Sequence, residues 1–586
     1  MPEIGFMAIA LIIAACVSGM VLVFVLWADR GFEYCDEGLL LSTSSGCADL
    51  NGMPIFDYLY TGRLLSLVRS DVARLRLASL ALSLSVAAAF AATFIHLSGA
   101  LGFPVPGGFW PSIAVFGYFA TVSFLRVTLV PPSPGYGILA GLACTLGVIL
   151  ALAAAASSGI AAALLGLLAG AVLSVLLFTR LTGAPLVAVL LCVLAGLIAR
   201  QPLALVLWLA AGGAGGILLH LALLISPRTA LDRIRSALEM QKACATERFG
   251  TRAMLEADSR YALNVLLVSL KSRWYFLAAM AAVPTVVPES LRPWAVPFLI
   301  LASCGFFLVK NHKAMDKVQP NEALVMRLFP DILWLVCAYR LGAMAAPLSS
   351  DTAFLPQLGL SLLLMAFALG HSLLSWHLTM RNTHFAAELW ASPPLLMALG
   401  TNGEVGEMIA MCVMLVGASH VLLRFRSGWL AYPLAFGHEM PRRVCDTPVE
   451  AGGPGNTLRL PAEHVRFIED LRGAARRAGF RPGDPVMPCF NLLGFAWLLG
   501  GRMPWVPNYI LHPETVNSAG LGRWIGEMAP EEAARAFILE FHSDETAPFL
   551  CAMGLDFPAG YERCFTGWCP MTGRTATLWK PGQEER

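Results

Sequence analysis

The chain has 586 residues, 57% of them hydrophobic and 14% charged, with a formal net charge of +2. Soluble proteins carry about 25% charged residues, so this composition excludes a water-soluble globule and points to a polytopic membrane protein. The near-neutral balance and the lack of a basic block argue against nucleic acid as a partner.

The first apolar run, Met7 to Ala28, has the length of a full span. It lacks a basic leader and a small-residue cleavage site, so a retained first span is expected. The stretch "RGFEYCDEGLLLS", Arg30 to Ser42, follows at once and places Glu33, Asp36 and Glu37 beside the membrane. Charge there needs solvent, a partner or a task. The plain reading is a solvated span end; the sharper one is a catalytic carboxylate. Pro54 to Asp71 spaces Ile55, Tyr58, Leu59, Leu64, Leu65 and Val68 as a helix lying in the membrane interface.

Six apolar runs follow: Leu77–Leu97, Phe109–Val130, Tyr136–Ala156, Ile160–Phe178, Ala184–Ile198 and Leu203–Ile225. Their joints are short and rich in Gly or Pro. A polar segment, Ser226 to Arg273, predicts one or two surface helices. Apolar runs resume at Trp274–Val287, Trp294–Val309, Ile332–Ala346, Phe354–Leu374 and Glu404–Leu423. Met380–Leu399 reads either as a broken span or as a re-entrant piece. At roughly 20 residues per span, about 11 to 13 crossings are expected.

From about Gly428 no run is long enough to span. "PAEHVRFIEDLRGAARRAGF" predicts an amphipathic helix, "DPVMPCF" a strand, "APEEAARAFILEFH" a helix start and "TATLWKP" a closing strand. The expected organisation is an α-helical transmembrane bundle over residues 1–427, with a first loop at 28–76 and a polar loop at 226–273. A small α/β or α+β domain at 428–586 completes it. The 14 cysteines form no metal pattern. Cys35 with Cys47, and Cys564 with Cys569, are either disulfides or free thiols. His371, His377 and His384 read as core or interfacial residues. Trp110, Phe116, Tyr118 and Phe119 either line a lipid groove or simply pack.

The order of motifs resembles the opening of the GT-C superfamily of membrane glycosyltransferases, which includes protein O-mannosyltransferases and the lipid A aminoarabinose transferase. The matching elements are Asp36-Glu37-Gly38 after the first span, Gly52-Met53-Pro54-Ile55-Phe56-Asp57, and Arg76 to Ser79 at the start of the second span. "LLFTRLTGAPL" is similar to a later family segment, with Arg180 where the family has Lys. "PPSPGYGIL", "LMALGTNGEVG" and "GDPVMPCFNLLGFAWLLGGRMPWVPNY" are weaker matches. The likeness is firmest over about residues 1 to 200.

The resemblance implies transfer of a sugar from a polyprenyl-phosphate donor to a lipid, glycan or protein acceptor on the outer face of a bacterial inner membrane. The C-terminal domain would lie on that periplasmic side. Asp36 aligns with the family's first-loop acid and is expected to be the general base, since a partly desolvated carboxylate has a pKa suited to that task. Glu37 is either a second carboxylate or the partner of a nearby Arg. Arg180 is expected to meet the leaving phosphate. Asp57, Arg63 and Arg76 are candidate substrate-binding residues, with Arg69 and Arg74 beside them. No metal or other cofactor is assigned, because no DxD triplet occurs. A transporter or flippase of lipid-linked sugars, which would show repeats and mid-span charges, and a non-catalytic assembly protein are the rival readings. The sugar, the acceptor and the oligomeric state stay open.

Overall fold

The computed structural model describes residues 2–48, 57–69, 71–101, 103–128, 132–244, 251–315, 326–345, 352–373, 381–401, 403–429, 431–433, 439–452, 456–489, 492–503, 517–528, 530–541, 544 and 546–582. Its N-terminal part is helical: α1 Pro2–Leu26, α2 Asp36–Ser44, α3 Asp57–Leu67, α4 Val72–Ser98, α5 Phe109–Thr128, α6 Tyr136–Ala156, α7 Gly159–Thr179, α8 Ala184–Ile198 and α9 Pro202–Leu223. Next come α10 Pro227–Cys244, α11 Thr251–Val286, α12 Arg292–Met315, α13 Leu328–Ala345, α14 Phe354–Gly370, α15 Ala387–Leu399 and α16 Gly403–Arg424. Among the described residues, nine helices are long and apolar enough to cross a membrane, and α8 and α14 are shorter apolar helices. The chain is a multi-pass helical membrane protein.

Two expectations change. The apolar run at Trp274 does not start a new element. It continues the polar segment as one 36-residue helix, α11, about 54 Å long at 1.5 Å per residue. The ambiguous Met380–Leu399 piece becomes a short 3-10 turn, Arg381–Ala386, running into α15. Every residue of α15 is buried, including Pro393 and Pro394. It packs against α5, α13, α14 and α16, so protein surrounds it on all sides, which explains why its pattern lacks the one-sided character of a lipid-facing helix.

The ends of α1, α5, α7 and α16 and the starts of α4 and α6 meet at one end of the bundle. A Cβ on Gly428, just past α16, would lie 2.4 Å from the carbonyl of Thr128, the last residue of α5. The Thr61 hydroxyl of α3 donates to the Pro134 carbonyl before α6, 2.7 Å away. Helix α3 is therefore pinned across that end.

The C-terminal part is an α+β fold: β1 Ala431–Pro433, β2 Glu439–Pro441, β3 Thr447–Glu450, β4 Thr457–Leu460, α17 Ala462–Arg477, β5 Val486–Pro488, α18 Gly494–Leu499, α19 Ser518–Met528, α20 Pro530–Arg535, β6 Phe537–Glu540, α21 Thr546–Ala552, β7 Tyr561–Cys569 and β8 Arg574–Pro581. Its main sheet has the order β5-β6-β8-β7; β5 and β6 are parallel and the other pairs antiparallel. The helix expected from "APEEAARAFILEFH" stops early, because "FILE" is fully buried and forms the central strand β6.

Two large hydrophobic cores result among the described residues. One fills the bundle. The other joins the C-terminal domain to Phe32, Tyr34, Leu41, Leu65, Val72 and Leu75 of the first loop and its flank. The composition boundary near Gly428 is thus no packing boundary, and loop 28–76 belongs with the C-terminal domain.

Among the cysteines whose side chains are described, none forms a disulfide. Helix α2 separates Cys35 from Cys47, and its nine residues hold the pair about 13 Å or more apart. Cys564 and Cys569 lie five positions apart on β7, about 16 Å along an extended strand. Neither pair reaches bridging distance.

Candidate functional site

The acidic loop is built around a buried ion pair. Glu37 and Arg76 are each about 1% exposed, with Arg76 Nη2 2.6 Å from Glu37 Oε2 and Nε 2.9 Å from Oε1. The remaining donors of Arg76 go to the carbonyls of Ala28 at 2.7 Å, Gly31 at 2.9 Å and Arg30 at 3.3 Å. The Ser133 hydroxyl donates to Glu37 Oε1 at 2.6 Å. Burial pushes the Glu37 carboxyl up, but the charge and hydrogen bonds of Arg76, helped by Ser133, hold it below its ordinary pKa. This network locks the end of α1 to the starts of α2, α4 and α6. Of the two alternatives for Glu37, the structure shows the partner of a nearby Arg. The guanidinium of Arg76 is fully engaged with protein.

Asp36 and Glu33 differ from Glu37. Asp36 opens α2 and is exposed. Protein is nonetheless dense around it, and that desolvation raises its pKa, opposed by the Cys35 thiol 3.7 Å away. Glu33 is half-buried and caps α2 in the manner of a reciprocal capping box. Its oxygens accept the backbone N–H groups of Cys35 at 2.8 Å and Glu37 at 2.9 Å, and its own N–H donates to Glu37 Oε2 at 3.4 Å. Burial first, then the Asp36 charge, push the Glu33 carboxyl up to about 8 against those hydrogen bonds. Glu33 and Asp36 are thus neighbouring carboxyls whose pKa values are both raised by burial. The sequence presented Glu33 only as one of three acids, and its capping geometry was not legible there.

Arg180 caps the C-terminal end of α7 and is 9% exposed. Its guanidinium lies 4.8 Å from the ring centre of Tyr136 and 6.0 Å from that of Phe385. Burial lowers its pKa, partly offset by Tyr136. Tyr136 follows Ser133 by three residues, so the segment 133–136 carries contacts from Glu37 at one end and to Arg180 at the other. The acidic loop and Arg180 therefore stand at the same end of the bundle. A second buried pair joins it there. Arg126 and Glu388 are both unexposed and bonded to each other, and Arg126 Nε donates to the Phe385 carbonyl at 2.6 Å. Neither residue was singled out from the sequence. Arg126 hid inside an apolar run, and Glu388 in the segment of ambiguous pattern.

The other candidates are dispersed. Arg63 is exposed on α3. Arg74 is exposed and pairs with Asp71, and Arg69 has the left-handed φ of 58°. Asp57 begins α3, but its side chain lies outside the described residues, as do Gly52 to Phe56. Tyr118 and Phe119 are buried, and the Tyr118 hydroxyl donates to the Ala391 carbonyl at 3.0 Å; both pack the core. His371 and His384 are buried and His377 lies outside the described residues. Among the described residues no three His, Cys, Asp or Glu side chains converge as a metal site. No family model, curated protein or solved structure matches the chain.

Proposed function

We propose that the chain is a GT-C-like glycosyltransferase that moves a sugar from a polyprenyl phosphate to an acceptor hydroxyl at the outer face of a bacterial inner membrane. The observation that carries this reading is Asp36. It is an exposed carboxylate of raised pKa, held at the loop end of a membrane bundle by a buried Glu37–Arg76–Ser133 anchor. An anchor of that kind fixes a base in place without consuming it. The acceptor O–H gives its proton to the Asp36 carboxylate. The acceptor oxygen bonds to the anomeric carbon, and the bond from that carbon to the phosphate oxygen breaks. Polyprenyl phosphate leaves with the bonding pair. A single displacement inverts the anomeric centre. Arg180 stands at the same end with its charge buried, where a departing phosphate gains most from a fixed cation. Asp57 and Arg63 remain candidates for acceptor or donor contact on α3.

The test is Asp36→Asn in the full chain, reconstituted with a labelled polyprenyl-phosphate sugar pool. Loss of a general base costs about 10²–10⁴-fold in turnover, so transfer should fall by at least a hundredfold while donor binding persists. Transfer at the parental rate would overturn the assignment.

A further inference from the structure

Helix α10 has a face that the proposed reaction does not use. Its inward side is fixed. Ala230 and Ala237 are buried, and Ala230 packs with Phe178 and Ile225. The Arg233 guanidinium lies 5.0 Å from the ring centre of Tyr58, and Met240 and Ala243 meet the C-terminal core. Its outward side exposes Leu231 at 67% and Leu238 at 55%. Arg228, Arg235 and Lys242 are exposed beside them, and Asp232 and Glu239 beyond.

At about 100° per residue, the order around the helix is half-buried Ile234, then Leu238 and Leu231, then Lys242, Arg235 and Arg228, then Glu239 and Asp232. Apolar side chains, cations and carboxylates thus occupy three successive arcs. A wholly solvated face has no reason to display two large leucines two turns apart. A helix lying at a bilayer surface needs this order: leucines toward hydrocarbon, cations at phosphate level and carboxylates toward water. The position agrees. Only Leu224 to Ser226 separate α10 from α9, a candidate span whose last turns expose Leu218, Leu219 and Leu223. Three residues reach about 10 Å, so the first turn of α10 cannot leave the bilayer surface.

We infer that the Leu231–Leu238 and Arg228–Arg235–Lys242 arcs of α10 form a docking surface for anionic phospholipid headgroups in the leaflet at the loop end of the bundle. The surface clamps α3 and the C-terminal domain, both of which rest on the other side of α10, against the membrane.

An encoded nitroxide amino acid at 231 or 238, in the full chain in nanodiscs containing phosphatidylglycerol, reads the placement directly. Its relaxation should respond to lipid-soluble oxygen more than to a water-soluble nickel chelate, with the opposite preference at 232. Equal chelate access at all three positions would leave the leucines facing water or a protein partner and overturn the inference. The headgroup claim is read separately, by native mass spectrometry of bound phosphatidylglycerol against phosphatidylcholine. Replacing Arg228, Arg235 and Lys242 by Gln should lower the preference roughly fivefold per charge. An unchanged preference would overturn it. All three side chains are exposed, so the fold tolerates the change.

Discussion

Among single residues, Glu33 carries the sharpest pH signature. Its carboxyl is pushed from an ordinary value of 4.5 up to about 8 by burial and by Asp36. Between those two values the folded chain holds a proton that the unfolded chain releases. The stability this group contributes is therefore fully present below about pH 4.5, falls as pH rises, and is gone above about pH 8. Glu33→Gln removes the titration. The variant should lose part of the decline in melting temperature between pH 5 and 8, and a protonated-carboxyl band seen by infrared at pH 7 in the parent should vanish. Equal pH slopes in parent and variant would show that Glu33 is ionised throughout. Glu37 behaves in the opposite way, because Arg76 holds its carboxyl below its ordinary pKa.

The critical elements are the short helices α2 and α18, which touch backbone to backbone. A Cβ on Gly38 would sit 2.4 Å from Gly494 Cα and 2.5 Å from its nitrogen. Alanine favours a helix over glycine by about 1 kcal/mol, but neither backbone can yield here, so the clash wins. Gly38→Ala should destabilise the chain by about 1–3 kcal/mol, measured by denaturant unfolding in detergent. Gly19→Ala in α1, where a Cβ meets nothing within 4 Å, should be neutral or stabilising and serves as control. A silent Gly38→Ala would mean that α2 is not seated on α18. Contacts of this kind mark where sequence reading stopped. The apolar helices α6 and α8 begin and end where their apolar runs do, because an apolar surrounding imposes one rule on a whole helix. The helical pattern of Pro54 to Asp71 likewise foretold α3. Glycine 38 read only as part of an acidic motif, since nothing local reports a partner some 450 residues away. The Glu37–Arg76 pair was half legible, as two candidates in separate roles, and Ser133 was invisible among prolines.

Across the whole molecule, the acidic loop depends more on the C-terminal domain than on the bundle that precedes it. Backbone hydrogen bonds tie it at both ends: Gly31 N–H to the Arg459 carbonyl and Arg459 N–H to that of Asp29, both 2.9 Å, then Gly494 N–H to Tyr34 at 2.8 Å and Met503 N–H to Cys47 at 2.7 Å. Phe32 and Tyr34 are buried among aromatic rings that include Phe495 and Trp497. The bundle core contains none of these residues but includes Trp429, stacked on Phe24, so a chain ending at residue 429 keeps the contacts that hold its spans together while exposing the aromatic side of the loop. Such a truncated chain should still insert as a helical bundle. Its residues 29–47 should exchange backbone hydrogens at nearly unprotected rates, because local protection follows the contacts that close a segment. Protection equal to that of the full chain would show that the Arg76 network alone suffices to order the loop. The carboxylates of Glu33 and Asp36 would then owe their placement to the membrane half of the protein. With the tethers as they stand, Asp36 is presented by a loop that the last quarter of the chain holds in shape.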